Sequence, residues 1–405
     1  MDARRPASFG GYDARRVMLF ALACWGLLLA IVAGRLLFAQ KVNHSVYFIF
    51  DAAGRNWIAG DELYGSGKTL FRYSPTVAAF FAPWSMLPQR AAEVLWRVGS
   101  AAAWIASLIY FFRVCVPTLD VRRRWIGVLG SLPLALLSVN NGQTNVLLGA
   151  LLFTAYADAL RGRWNRCAVA LAAAVLFKLW PIAAAGLLIL CFPKALGTRF
   201  VAALAAGLAV PFLFQRWDYV ATEYRDWVVY LAADLRTDID MQFGYRDFWL
   251  LNRLAGNVLT LPQYQLLQLG SGAALGAVVA WLRWRGRDAA ELVRLTAFAG
   301  TIWMLGFGPA TESCTYSLIG PLLAWAWLDA ARSNESLVER LLLQLSTLLF
   351  GVALLCVPTT YSRSIETLGL QPIGAALLFL RLLVAGRPVQ AAIAARAVLP
   401  LRRAA

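Results

Sequence analysis

The chain has 405 residues, 60% of them hydrophobic and only 15% charged, and a formal net charge of +16. Soluble domains carry about 25% charged residues, so a water-soluble globular class is excluded before any motif is read. The basic excess is spread through short loops between apolar runs, where positive-inside bias places it, which argues against a nucleic-acid partner.

The chain therefore reads as an all-α polytopic membrane protein. Only Lys41, Lys68, Lys178 and Lys194 supply lysine, and the remaining cations are arginines. The six cysteines stand singly, most of them within apolar runs, and act as small hydrophobes, with no disulfide framework or metal site implied. His44 is the single histidine, which excludes a multi-His metal centre.

The first apolar run, 17–39, follows Arg4, Arg5, Arg15 and Arg16. It is longer than the core of a signal peptide and ends in no small-residue cleavage pattern, so a retained first span is expected. With those arginines on the cytoplasmic side, 40–74 forms a first outer loop. The following stretch, 74–88, is too short to cross, since a span needs about 20 residues. Were it to cross, Arg122, Arg123 and Arg124 and the later basic clusters would face outward. If it dips in and returns, or lies on the surface, they face inward, and the positive-inside rule favours that second topology.

The remaining spans fall near 91–113, 125–140, 145–160, 167–179, 181–193, 199–214, 258–282, 291–308, 316–330, 337–357 and 366–385. With the first they make about twelve transmembrane helices in one domain over 1–405, both termini inside, with a basic cytoplasmic tail at 386–405. The pair at 167–179 and 181–193 is short and reads as a hairpin of broken or tilted helices. Arg35, Lys178 and Arg294 are left within spans. The second large outer loop, 215–257, is rich in Trp, Tyr and mixed charge, as interfacial amphipathic helices are.

Polar residues at the outer face gather in few places, so a site is expected there. Asp51 follows four apolar or aromatic residues at a membrane edge. It reads either as a helix N-cap or solvated loop carboxylate, or as a general base that takes a proton from an acceptor hydroxyl. Asp61 and Glu62 suit a turn before Tyr64. Arg55, Lys68 and Arg72 can hold a phosphate, pair with neighbouring carboxylates or snorkel to headgroups. Lys178 follows a long apolar run and precedes Trp180 and Pro181; an ionisable residue so placed is a functional candidate, with snorkelling as its rival. Asn140, Asn141, Gln143 and Asn145 carry four amides in a short segment. A tight turn explains Asn141-Gly142, whereas Gln143 and Asn145 can bind sugar hydroxyls. Glu312 follows a helix break and reads as a turn residue or a pocket wall. Asp238-Ile239-Asp240 matches a DxD pattern too short to use.

These residues, taken in order, form a longer pattern. Asp51, then Gly60-Asp61-Glu62-Leu63-Tyr64, Phe71-Arg72-Tyr73-Ser74-Pro75, Ala82-Pro83, Leu87-Pro88, Ala91 and Leu95-Trp96 resemble the signature of family 87 in the GT-C glycosyltransferases. That signature runs D…G-x-D-L-Y…F-x-Y-P-P…A-P…L-P…A…L-W. Asn141-Gly142-Gln143-Thr144-Asn145 is similar to the family's N-G-Q-x-N segment, and Lys178 with Pro181 to its K-x-x-P. The resemblance covers 47–185, with a weaker echo near 308–325.

The resemblance implies a GT-C-like bundle with a catalytic first extracytoplasmic loop in the cell membrane. It implies transfer of a sugar, typically mannose, from a polyprenyl-phosphate donor to a hydroxyl of a lipid or glycan acceptor, with inversion. Asp51 would be the base. Lys178, Arg72 and Arg55 would serve the donor phosphate, and Gln143, Asn145, Tyr64, Tyr73 and Glu312 the sugar or acceptor. No cofactor or metal is called for, because polyprenyl phosphate is already a competent leaving group. The chain departs from the family twice: Ser74 stands where the pattern has proline, and the segment after Glu312 lacks a histidine that relatives often carry. A transporter or flippase of lipid-linked glycans and a catalytically inactive accessory protein are the other readings. Internal repeats would mark a transporter, and none is evident.

Overall fold

The computed structural model describes residues 9–39, 45–64, 71–233, 245–308, 311–356 and 368–385, and all regular structure among them is helical. The protein is a polytopic helical bundle. Six stretches are long and apolar enough to cross a membrane: Asp13–Phe38, Gln89–Cys115, Pro193–Leu213, Leu261–Trp284, Ala289–Phe307 and Leu337–Cys356. Shorter apolar helices occupy Asn145–Leu160, Trp164–Phe177, Ile182–Cys191 and Leu370–Val384. Each stretch expected to span is helical over most of its described residues.

In chain order, α1 (Phe9–Phe38) is followed by two short helices, α2 (Tyr47–Ala59) and α3 (Pro75–Ser85). The bundle continues through α4 (Gln89–Cys115), α5 (Val121–Asn141), α6 (Asn145–Leu160), α7 (Trp164–Phe177), α8 (Ile182–Cys191) and α9 (Pro193–Ala209). Two helices of the second large loop, α10 (Trp217–Ala233) and α11 (Phe248–Leu254), precede α12 (Leu261–Trp284). The next rod is α13 (Ala289–Leu295), a π-helical turn at Thr296–Gly300 and α14 (Thr301–Phe307). A 3-10 segment, Ser313–Ile319, leads into α15 (Gly320–Ala330), and α16 (Leu337–Cys356) and α17 (Leu370–Val384) close the bundle.

The core is aromatic. Trp104 on α4 and Phe153 on α6 meet edge to face at 5.7 Å, and Phe111 bridges Phe153 and Trp325 at 4.9 and 5.5 Å. Such pairs add to the burial of area, which dominates. Gly149 lets α6 close on α4, because a Cβ there would fall 2.1 Å from the Trp104 ring.

The α3 helix is short for a span. Eleven residues extend about 16 Å, roughly half of the ~30 Å hydrocarbon core. Its first turn is tied to the C-terminal ends of α7 and α9: Ser74 Oγ donates to Leu176 O, and Thr76 Oγ1 to Gly207 O. Its partner α2 buries Tyr47, Phe50, Asp51, Ala53, Gly54 and Trp57, the 3–4 spacing of one helix face. At Gly54 the two backbones touch, since a Cβ would lie 2.8 Å from Phe81 O.

The described parts of the connections at 45–64, 71–74, 142–144, 178–181, 215–233 and 245–257, with Thr311 and Glu312, share that same end. Across it Val46 N donates to Asn141 O and Arg246 N to Thr311 O, and Gln215 Nε2 to Trp57 O. The opposite end is basic and tied by ion pairs: Arg122 with Asp13, Arg166 with Asp158, Arg294 with Asp329 and Arg381 with Glu335.

Candidate active site

The site is built on the turn between α5 and α6. A helix leaves its last four carbonyls without intrahelical partners, and here side chains from α4 take two of them and the Gly142 carbonyl beyond. Trp96 Nε1 donates to Gly142 O at 3.0 Å, while Arg97 donates to Val139 O at 3.1 Å and to Asn140 O at 3.3 Å. A cation at this end also complements the helix dipole. Arg97 is buried and stands 3.6 Å from Glu93, one turn earlier on α4. Gly142 is required twice over. Its φ of 67° is left-handed, and a Cβ would lie 2.8 Å from the Arg97 guanidinium. The turn so fixed presents Gln143, Thr144 and Asn145.

Lys178 enters from the break between α7 and α8. It follows the last residue of α7 in extended conformation, and the Ser74 hydroxyl holds the Leu176 carbonyl two residues earlier at 2.8 Å. Lys178 is therefore a helix-end residue, not one deep within a span. Its Nζ donates to Asn145 Oδ1 at 2.8 Å, reaching into the bundle. Asn145 is wholly buried, and its Nδ2 has no partner among the described residues, an unmet donor beside a cation.

Gln143 Nε2 donates to Glu312 Oε2 at 2.9 Å, and Cys314 Sγ approaches the same oxygen at 3.2 Å. Glu312 is itself exposed. Tyr73 lies between the two groups. Burial pushes its phenol above the ordinary range, Lys178 and the nearby Thr144 hydroxyl oppose that rise, and Glu312 and Cys314 add to it. Residues from three separate stretches thus converge on Tyr73.

Asp51 is neither an N-cap nor a solvated loop carboxylate: Val46 is the N-cap, and Asp51 sits on the buried face of α2. Arg55 grips both its oxygens, at 3.0 and 3.3 Å, so of the partners expected for Arg55 the carboxylate is the one it holds. The two differ in freedom, the Asp51 side chain being 10% exposed and that of Arg55 56%. Phe50, next in sequence, packs its ring 5.1 Å from that of Tyr73. Among the described residues no hydrogen bond joins Asp51 to the Lys178 and Glu312 groups, and this ring contact is one link between them.

Tyr64 Oη donates to the Tyr73 carbonyl, and Arg72 Nη1 donates to Tyr245 Oη at 2.8 Å. The second large loop clamps the first. Glu223 on α10 accepts from Leu63 N at 3.1 Å, and Tyr219 Oη donates to Asp61 O at 2.7 Å. Burial lifts the Glu223 carboxyl to about 7; the Leu63 N–H opposes this, and Asp226 and Glu62 reinforce it. Lys68, Asp238 and Asp240 lie outside the described residues.

Sequence reasoning missed Glu93, Arg97 and Glu223. Arg97 also lies within an expected span and belonged with Arg35, Lys178 and Arg294. Its i,i+4 spacing from Glu93 was the available signal. No comparable pattern marks Glu223.

A helical membrane bundle with a polar, partly unsatisfied cluster at one end suits an enzyme working at the bilayer edge. The chain belongs to glycosyltransferase family 87, whose model matches residues 71–309, and it is accordingly a membrane glycosyltransferase. The match takes in Arg72, Tyr73, Gln143, Asn145 and Lys178 and stops short of Asp51, Arg55, Tyr64 and Glu312. No match to the chain is found among curated proteins.

Proposed function

We propose that the protein transfers a sugar, mannose by the family resemblance, from a polyprenyl-phosphate donor to a hydroxyl of a lipid or glycan acceptor. The reaction takes place at the extracytoplasmic face of the cell membrane and inverts the anomeric centre. The observation that carries this reading is the meeting of Lys178 and Asn145 with Gln143 and Glu312 around Tyr73, inside a family of glycosyltransferases.

The acceptor oxygen attacks the anomeric carbon as the bond from that carbon to the phosphate oxygen breaks. The hydroxyl proton passes to Asp51, and polyprenyl phosphate leaves with the bonding pair. Charge developing on the phosphate is stabilised by Lys178 and by the unmet Asn145 Nδ2 donor, which is the largest kind of catalytic contribution when donors are preorganised. Arg55 is exposed enough to exchange the Asp51 carboxylate for the arriving phosphate, which frees Asp51 to accept the proton. Arg72 supports the phosphate, and Gln143, Glu312, Tyr64 and Tyr73 contact the sugar or acceptor.

The test is transfer by the purified protein reconstituted in lipid, with labelled polyprenyl-phosphate mannose and native lipid extract. A labelled product that depends on the protein supports the reading. Donor binding without any product points to a transporter or an inactive accessory protein.

A further inference from the structure

Helix α10 divides its surface three ways. With successive residues about 100° apart around the axis, Tyr219, Val220, Glu223 and Trp227 fall on one side, and that side holds the first loop. Tyr219 donates to Asp61 O, Glu223 accepts from Leu63 N, and Trp227 Nε1 donates to Arg72 O at 3.3 Å. Trp217, Ala221, Val228 and Ala232 form a second side within roughly 60° of arc, and all four are exposed. Asp218, Thr222 and Arg225 occupy the third side, also exposed, with Asp226 and Val229 beside them. Two exposed sides of opposite character suit a helix that meets two solvents.

The apolar side continues a surface that faces lipid. The stretch Pro193–Leu213 is long and apolar enough to span, and it leaves Val201, Val210 and Leu213 exposed. The chain passes from it through Phe214 to Trp217, which are 71% and 73% exposed. Helix α10 does not stand away from that span. Tyr224, at its middle, donates from Oη to Leu208 O at 2.9 Å, within the last two turns of the span. Phe212 packs against Tyr224 and Trp217, with ring centroids 6.0 and 4.9 Å apart. The helix therefore folds back across the end of the span, at the depth where hydrocarbon gives way to headgroups.

We propose that α10 is an interfacial helix whose stripe of Trp217, Ala221, Val228 and Ala232 is seated against the acyl chains of the bilayer at the catalytic end, and that this seat keeps its inner side on the first loop. Interfacial helices bury an apolar face at the boundary of headgroups and acyl chains, with tryptophan enriched at that level. The order of the loop that carries Leu63 and Arg72 then depends on the membrane. The proposal stands apart from the sugar-transfer reaction.

The experiment places photoreactive benzoylphenylalanine singly at Ala221, Val228, Thr222 and Asp226 of the full chain in phosphatidylcholine nanodiscs, and weighs the products after illumination by mass spectrometry. Positions 221 and 228 should give covalent lipid adducts, and positions 222 and 226 should not. Equal lipid adducts at all four positions, cross-links to a second copy at 221 and 228, or no lipid at those two overturn the seat. Amide exchange at Leu63 in the same nanodiscs reads the coupling. Val228→Asp should speed it roughly tenfold, the worth of returning a valine side chain to water, while Thr222→Asp on the water side should leave it unchanged. Unchanged exchange in Val228→Asp, or equal acceleration in both variants, overturns the coupling.

Discussion

Lys178 Nζ donates to Asn145 Oδ1 at 2.8 Å, joining the end of α7 to the start of α6. The bond occupies one end of an asparagine whose other end is buried and unpaired, so the pair is set to receive a further acceptor group. Lys178→Met keeps the stem and removes the charge. A hydrogen bond to a charged group contributes about 1.5–3 kcal/mol, so donor affinity should fall roughly 10- to 100-fold with little change in melting temperature. Titration of the reconstituted protein with a polyprenyl-phosphate sugar measures it, and unchanged affinity would make the lysine a structural tie only.

Arg97 and Glu93 set the α5–α6 turn. Removing one member of a buried pair strands the other and costs about 3–5 kcal/mol. Arg97→Met should therefore lower thermal stability sharply in detergent, while Arg97→Met with Glu93→Leu should recover much of the loss. Equal instability of the single and double variants would show that the carbonyl bonds of Arg97 carry the effect, and the ion pair does not.

The span pattern was legible because burial in lipid demands apolar runs, and those runs became α1, α4 and the later helices. The break at Lys178 and Pro181 was visible too, since a proline cannot continue α7 into α8. What α2 would do was less visible. Asp51 and Arg55 read as loop charges, whereas α2 buries Tyr47, Phe50, Asp51 and Trp57 on a single face and turns the carboxylate inward. The 3–4 spacing was present in the sequence, but a carboxylate interrupts it. Contacts such as Gln143 with Glu312 and Leu63 with Glu223 join residues more than 150 positions apart, and no local pattern encodes those.

Glu223 gives the two clamped loops a pH dependence. Its carboxyl is raised from 4.5 to about 7, so between those values the folded protein holds a proton that the unfolded chain has released. Its contribution therefore lowers stability as pH rises from about 4.5 through about 7, and is constant above that. Thermal melting across this window should show a decline that Glu223→Gln reduces. An identical decline in the variant would assign the dependence to other groups.

Asp51 and Glu312 are the rival carboxylates. Glu312→Gln preserves the shape that Gln143 meets at 2.9 Å and should weaken acceptor use without abolishing transfer, seen as a raised acceptor KM with kcat within a few-fold. A collapsed kcat with donor binding intact would move the base from α2 to this residue.

The most direct measurement is transfer by Asp51→Asn in reconstituted protein, single turnover, with labelled polyprenyl-phosphate mannose. Asparagine keeps the shape and cannot take the proton, and losing a positioned base costs about 10²–10⁴-fold in rate. Donor binding should persist while the chemical step falls by that factor. Near-normal transfer by Asp51→Asn would contradict the account.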